Sequence, residues 1–237
     1  MKVLAIDSSG VTASVAVADD NNIISEFMVN NRQTHSQTLL PMLDKAVQMS
    51  EIPLEDIDAI AVASGPGSFT GLRIGSATAK GLGLALKKPV IPVPTLDGLA
   101  YRAACYNGII CPLMDARRNQ VYTAAYHMDN GKLVNIIEQK AVNISDILLE
   151  LEQAGGEVLF LGDGVDVYKD VIQDKMGIKY LFAPCHMVKQ SAASVAALGI
   201  IYYGEGKYVS AAEYRPFYLR KPQAEREREE RLVKGKA

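Results

Sequence analysis

At 237 residues with 49% apolar side chains, the chain can bury a sizeable core, as one large domain or as two lobes. With 25 basic side chains against 27 acidic ones, overall charge gives no general affinity for nucleic acid or membranes, so any RNA role needs a local patch or a partner. Cys105, Cys111 and Cys185 are odd in number and lack a C-x-x-C pair, which argues against a disulfide framework or zinc ribbon and fits a cytoplasmic protein.

The opening MKVLAIDSSG breaks its apolar run at Asp7 and does not read as a signal peptide. Val3 to Ile6, Thr12 to Ala18 and Ile23 to Val29 read as three strands of a meander, with a turn at Asp7-Ser8-Ser9-Gly10. A helix is expected over Ser36 to Met49, apolar on more than one face. Ile60 to Ala63 has no polar side and suits a strand buried on both faces. After the turn Ser64-Gly65-Pro66-Gly67-Ser68, Gly71, Gly75, Ala79 and Gly83 recur every fourth residue, one smooth ridge along a helix. No membrane span is expected, because this most apolar helix carries Arg73 and Lys80. Each interior glycine costs about 1 kcal/mol relative to alanine, so the ridge implies a closely approaching backbone, from the chain's own sheet or from another subunit. A strand at Val90 to Val93 and a helix from Thr95 to Ala104 complete a βββαβαβα unit.

The second half repeats that order. Strands at Ile109 to Met114, Val121 to His127 and Leu133 to Gln139 precede a helix at Ser145 to Ala154. A strand at Val158 to Leu161, a helix at Val165 to Lys175, a strand at Tyr180 to Ala183 and a helix at Ser191 to Tyr203 follow. The expected division is residues 1–106 and 107–219, with the last helix able to pack back on the first lobe, and a charged, disordered tail from 220 to 237. Asp7 and Asp115 hold equivalent places, each at the end of a lobe's first strand. Such an α/β duplication is similar to the actin, sugar kinase and Hsp70 superfamily (the ASKHA fold), where ATP phosphates lie between the two hairpins.

Motifs for other chemistries are missing. Gly65, Gly67 and Gly71 have the strand-to-helix context of a dinucleotide fingerprint without its spacing, no Gly-Lys-Ser/Thr follows as in a Walker A loop, and no G-x-S-x-G frames Ser68.

The runs Ile6-Asp7-Ser8-Ser9, His35-Ser36 before Leu39-Leu40-Pro41, and Ser64-Gly65-Pro66-Gly67-Ser68-Phe69-Thr70-Gly71-Leu72-Arg73-Ile74-Gly75 closely resemble the TsaB family, also called YeaZ. Met114-Asp115-Ala116-Arg117, Gln120-Val121-Tyr122 and Pro216-Phe217-Tyr218-Leu219-Arg220 extend the resemblance to about residue 222. It implies a non-catalytic partner of TsaD, the paralogue that transfers the threonylcarbamoyl group to the adenosine beside the tRNA anticodon, with the ATPase TsaE cycling the complex. It also implies a homodimer that exchanges for the TsaD heterodimer, and contact with tRNA only through the complex. Where TsaD carries its metal on H-x-x-x-H, this chain has Thr95 and Leu99, neither able to anchor that metal. No tightly bound cofactor is expected, only weak Mg-ATP or ADP at Asp7 and Asp115, whose plainer reading is as turn formers. The expected association surface is Leu39, Leu43 and Val47 on one helix with Gly71, Gly75, Ala79 and Gly83 on the next. The alternatives are a kinase or ATPase of the same fold and, with least support, a protease.

Overall fold

The computed structural model describes residues 1–31 and 34–220. Alternation along its first strands separates two unlike faces. In β1 (Lys2–Asp7), Leu4 and Ile6 face one way while Val3 and Ala5 face the other. β2 (Ala13–Asp19) repeats this with Val15 and Val17 against Ala16 and Ala18, and β4 (Ala59–Ala63) with Ile60 and Val62 against Ala59, Ala61 and Ala63. With β3 (Ile23–Val29) and β5 (Val90–Val93) they form a sheet in the order β3-β2-β1-β4-β5. The meander is antiparallel and β4 and β5 run parallel to β1.

The face of large side chains is covered by α1 (His35–Ser50) and α2 (Phe69–Leu86), whose Leu39, Leu43, Ala46 and Ala79 join the same core as Ile6, Val15 and Ile60. The alanine face lets a helix come closer. α7 (Ala192–Gly204), near the end of the chain, packs there against β1, β2, β4 and β5, and a methyl group on Gly199 would lie 2.8 Å from Ala61 Cβ.

The second sheet has the same connectivity. β6 (Ile109–Asp115), β7 (Gln120–Asp129), β8 (Lys132–Asn143), β9 (Val158–Leu161) and β10 (Tyr180–Phe182) lie in the order β8-β7-β6-β9-β10. α4 (Ile144–Ala154) and α5 (Gly164–Lys175) cover one face. The other face takes α3 (Thr95–Tyr101), a helix of the first repeat, through Leu96, Leu99 and Ala100 against Ile110, Met114 and Leu161. The two repeats thus exchange their last helices across the seam, and the architecture is the duplicated actin-like α/β fold.

Two short elements were not expected from periodicity: a 3-10 turn at Leu54–Asp56 and α6 (Cys185–Val188). The charged tail lies, beyond Arg220, outside the described residues.

At the seam α3 carries a half-buried carboxylate. Asp97 Oδ1 accepts hydrogen bonds from Tyr126 Oη and Gln139 Nε2, both at 2.7 Å, and Oδ2 accepts one from Tyr202 Oη at 2.6 Å. Burial pushes the Asp97 pKa above the usual carboxylate range, against the pull of these three donors. Tyr126 and Gln139 belong to the second sheet and Tyr202 to α7, so one side chain ties together three elements from both repeats.

Candidate functional site

Both hairpins that could hold a ligand are shaped by an aspartate. Asp7 Oδ1 accepts from the Ser9 backbone N–H at 2.9 Å and the Ser9 hydroxyl at 2.6 Å. Asp115 Oδ1 accepts from the Arg117 N–H at 2.8 Å and from Tyr168 Oη at 3.2 Å. Each carboxylate closes its own turn two residues ahead, the geometry that makes aspartate a turn former.

Their environments differ. Asp115 is exposed, whereas Asp7 is buried and its pKa is pushed up to about 6, chiefly by desolvation, while the two Ser9 bonds pull the other way. Asp163, between Gly162 and Gly164 at the start of α5, adds a third carboxylate: it acts on Asp7 and is itself acted on by Asp115. Burial raises the Asp163 pKa, with Lys189 opposing. Asp163 is thus linked electrostatically to both hairpin carboxylates, Asp7 and Asp115, which were anticipated. Asp163 was missed, although a Gly-Asp-Gly turn directly after a buried strand is a visible signal.

A side chain from the second repeat reaches into the same place. Gln190, next to the start of α7, is buried over the first hairpin, and a methyl group on Gly10 would lie 2.4 Å from its Nε2. Both Gln190 amide atoms, Asp163 Oδ1 and Thr12 Oγ1 are buried without a hydrogen-bond partner. No sequence motif marks Gln190.

The glycine turn is occupied by protein. A methyl group on Gly67 would lie 2.3 Å from Ser9 O, and one on Gly71 2.0 Å from Ser8 O. Ser9 O accepts from the Ser68 N–H at 2.6 Å, and the Ser8 hydroxyl donates to Gly71 O at 2.9 Å. Ser68 also caps α2, its Oγ accepting from the Gly71 N–H. On the other side Phe217 N–H donates to Ser64 O at 2.7 Å, and Gly65, at φ +117°, has no room for a side chain beside Phe217 O. These glycines let the α2 N-terminus clamp the first hairpin and let the C-terminal segment cross the turn.

This corrects the expected association surface. Leu39, Leu43 and Ala79 are buried in the chain's own core, with Val47 packed against it. Methyl groups on Gly75 and Gly83 would strike Ser8 Oγ and Ala211 Cβ, at 2.4 and 2.7 Å. The Gly71, Gly75, Ala79, Gly83 ridge faces inward, because the approaching backbone is the chain's own hairpin and strands. The outward face of α2 presents Arg73, Ala77, Gly81 and Leu84, and α1 presents Leu40.

Comparison with known proteins gives these features a setting. A family model described as TsaD, tRNA N6-adenosine threonylcarbamoyltransferase, matches residues 22–228. A Bacillus subtilis protein named tRNA threonylcarbamoyladenosine biosynthesis protein TsaB is 33% identical over 228 residues, 95% of this chain and 96% of that one. The chain belongs to the TsaB family. The TsaB protein of Escherichia coli is also 33% identical, over 93% of this chain and 95% of that one. The structure of YeaZ from Pseudomonas aeruginosa superimposes with a TM-score of 0.79 at 25% identity, over 92% of this chain and 99% of that one.

Within this TsaB-family chain, the two positions that stand where TsaD is expected to carry its histidines are both in use. The Thr95 hydroxyl accepts from the Gly65 N–H at 3.2 Å, and the Thr95 N–H donates to Gly65 O at 2.8 Å. Leu99 is buried in the core beneath the second sheet. Among the described residues, no three His, Cys, Asp or Glu side chains are grouped as a metal ion would require.

Proposed function

We propose that this chain acts in forming threonylcarbamoyladenosine in tRNA as a non-catalytic partner of a TsaD-type transferase, with a TsaE-type ATPase completing the assembly. The observation that carries the reading is the use of Thr95 and Leu99: one holds the glycine turn and the other fills a core, so the metal-bearing helix of the transferase has become a structural helix here. Its test is reconstitution. The purified chain alone should modify no tRNA, and adding the TsaD-type and TsaE-type proteins of the same organism should give modification that depends on this chain. Modification by the chain alone, or by the other two without it, overturns the reading.

The same reading makes the cleft a poor nucleotide site. A triphosphate needs backbone N–H groups free to approach it, yet Gly10, the one glycine of the first hairpin, is covered by Gln190. The residues do not fit a tightly held Mg-nucleotide.

Association is assigned to the outward face of α1 and to the outward face of α2 from Ala77 to Leu84. Gly81 has open space where a side chain would be, so nothing inside the chain explains a helix-interior glycine that costs about 1 kcal/mol. Leu84 on the same helix and Leu40 on α1 are 56% and 57% exposed, too open for a monomer's core and suited to a partner's helices. This face serves a homodimer and, in exchange, the TsaD-type partner.

A further inference from the structure

The C-terminal segment builds a strip of alternating cations and aromatic rings across the seam. Arg73 lies over the Phe69 ring at 3.9 Å, and Phe69 meets Tyr218 at 4.8 Å between centroids. Two residues further on, Arg220 donates to Ala116 O at 3.1 Å and sits 5.7 Å from the Tyr122 ring. That hydrogen bond anchors the strip to the second hairpin, whose exposed Arg117 follows directly.

Two features go beyond what packing requires. Phe217 is 52% exposed although its backbone is pinned to Ser64, so a fixed segment holds an aromatic ring in solvent. Arg117, Arg118 and Asn119 all have positive φ, at 61°, 55° and 58°, a run of left-handed residues none of which is glycine. Such a turn is maintained against its own preference, and here it directs an arginine outward at the end of the strip.

We infer that this strip is a contact surface for an unpaired RNA segment, with Arg117 and Arg220 meeting phosphates and Phe217 and Tyr218 stacking on bases. The inference deepens the proposed function and rests on it, since the relatives' names supply tRNA as the RNA in question. Rings at intervals between cations are how single strands are held with little sequence preference. The near-neutral charge of the whole chain makes the concentration of arginines local. The inference departs from the expectation that tRNA is reached only through the complex.

The test uses the full chain, alone and with the TsaD-type protein of the same organism, and a fluorescent tRNA anticodon stem-loop read by anisotropy. Arg117→Glu should weaken RNA binding about tenfold and flatten its salt dependence. Phe217→Ala should weaken it about fivefold or more with the salt slope unchanged. Both variants should keep a native circular dichroism spectrum and capture the TsaD-type protein as the wild type does, because neither residue lies on α1 or α2. RNA binding unchanged in both variants, no RNA binding by the wild type in either setting, or displacement of the RNA by polyglutamate as readily as by unlabelled RNA would each overturn the inference. The proposed function is judged separately by partner capture and reconstituted modification, which can succeed while the RNA surface fails.

Discussion

Gln190 lies across Gly10, so close that a methyl group on the glycine would come within 2.4 Å of the glutamine Nε2. One residue of the second repeat thereby fills the space that a phosphate would need beside the first hairpin. Calorimetry with MgATP should give a Kd no tighter than about 1 mM, equivalent to about 4 kcal/mol of binding. Micromolar binding that disappears in Asp7→Ala would sink this and reopen the ATPase reading.

Asp7 should make stability depend on pH. Its folded pKa of about 6 stands above the ordinary 3.8, so the folded state binds more protons than the unfolded one between those values. Stability should therefore fall as pH rises from about 4 to about 6 and stay lower above that. Asp7→Asn keeps an oxygen for Ser9 and removes the buried charge. It should stabilise the protein at pH 7 by about 1–3 kcal/mol, an advantage that vanishes below pH 4. Thermal unfolding of both proteins across this range checks the sign, and a variant less stable than wild type at pH 7 refutes the account.

Substitutions on opposite sides of α2 should separate folding from association. Ala79→Leu points into the core and should cost about 1–3 kcal/mol of monomer stability. Leu84→Asp points outward and should leave the fold intact while preventing dimerisation and partner capture. Light scattering and pull-down on proteins with native circular dichroism decide it. A folded Leu84→Asp protein that still associates like wild type would remove α2 from the interface.

The seam should be sensitive to Asp97. Asp97→Ala leaves two tyrosine hydroxyls and a glutamine amide without their acceptor in a largely buried place, a loss of about 3 kcal/mol. The melting temperature should drop by roughly 6–12 °C. A change under a degree would mean that water or a neighbouring group replaces the carboxylate.

The order of strands and helices was legible because periodicity and turn residues are local properties, and Asp7 and Asp115 stood out because the repeat placed them in register. Other features depended on long-range packing. A ridge of Gly71, Gly75, Ala79 and Gly83 announces that some backbone comes near, but the sequence does not say whose, and the hairpin at Ser8 and Ser9 proved to be the neighbour. The alternation of Val15 and Val17 with Ala16 and Ala18 did record that one face of the first sheet receives a closer helix. The helix that fills that face is α7, the last of the chain, which the sequence left free to pack back on the first lobe. Gln190 carries no signal, since a lone glutamine in a loop looks the same whether it points to solvent or into a cleft.

The exchange of α3 and α7 makes each repeat incomplete without the other. A chain cut between residues 106 and 107 would yield one fragment whose alanine face is bare and another lacking the cover from Leu96, Leu99 and Ala100. Neither half should hold its structure when expressed singly, yet the two produced together should recover a folded particle by mutual completion. Heat or denaturant should accordingly melt the intact molecule in one transition, despite the two sheets and the visible duplication, because no stable half exists to be left behind.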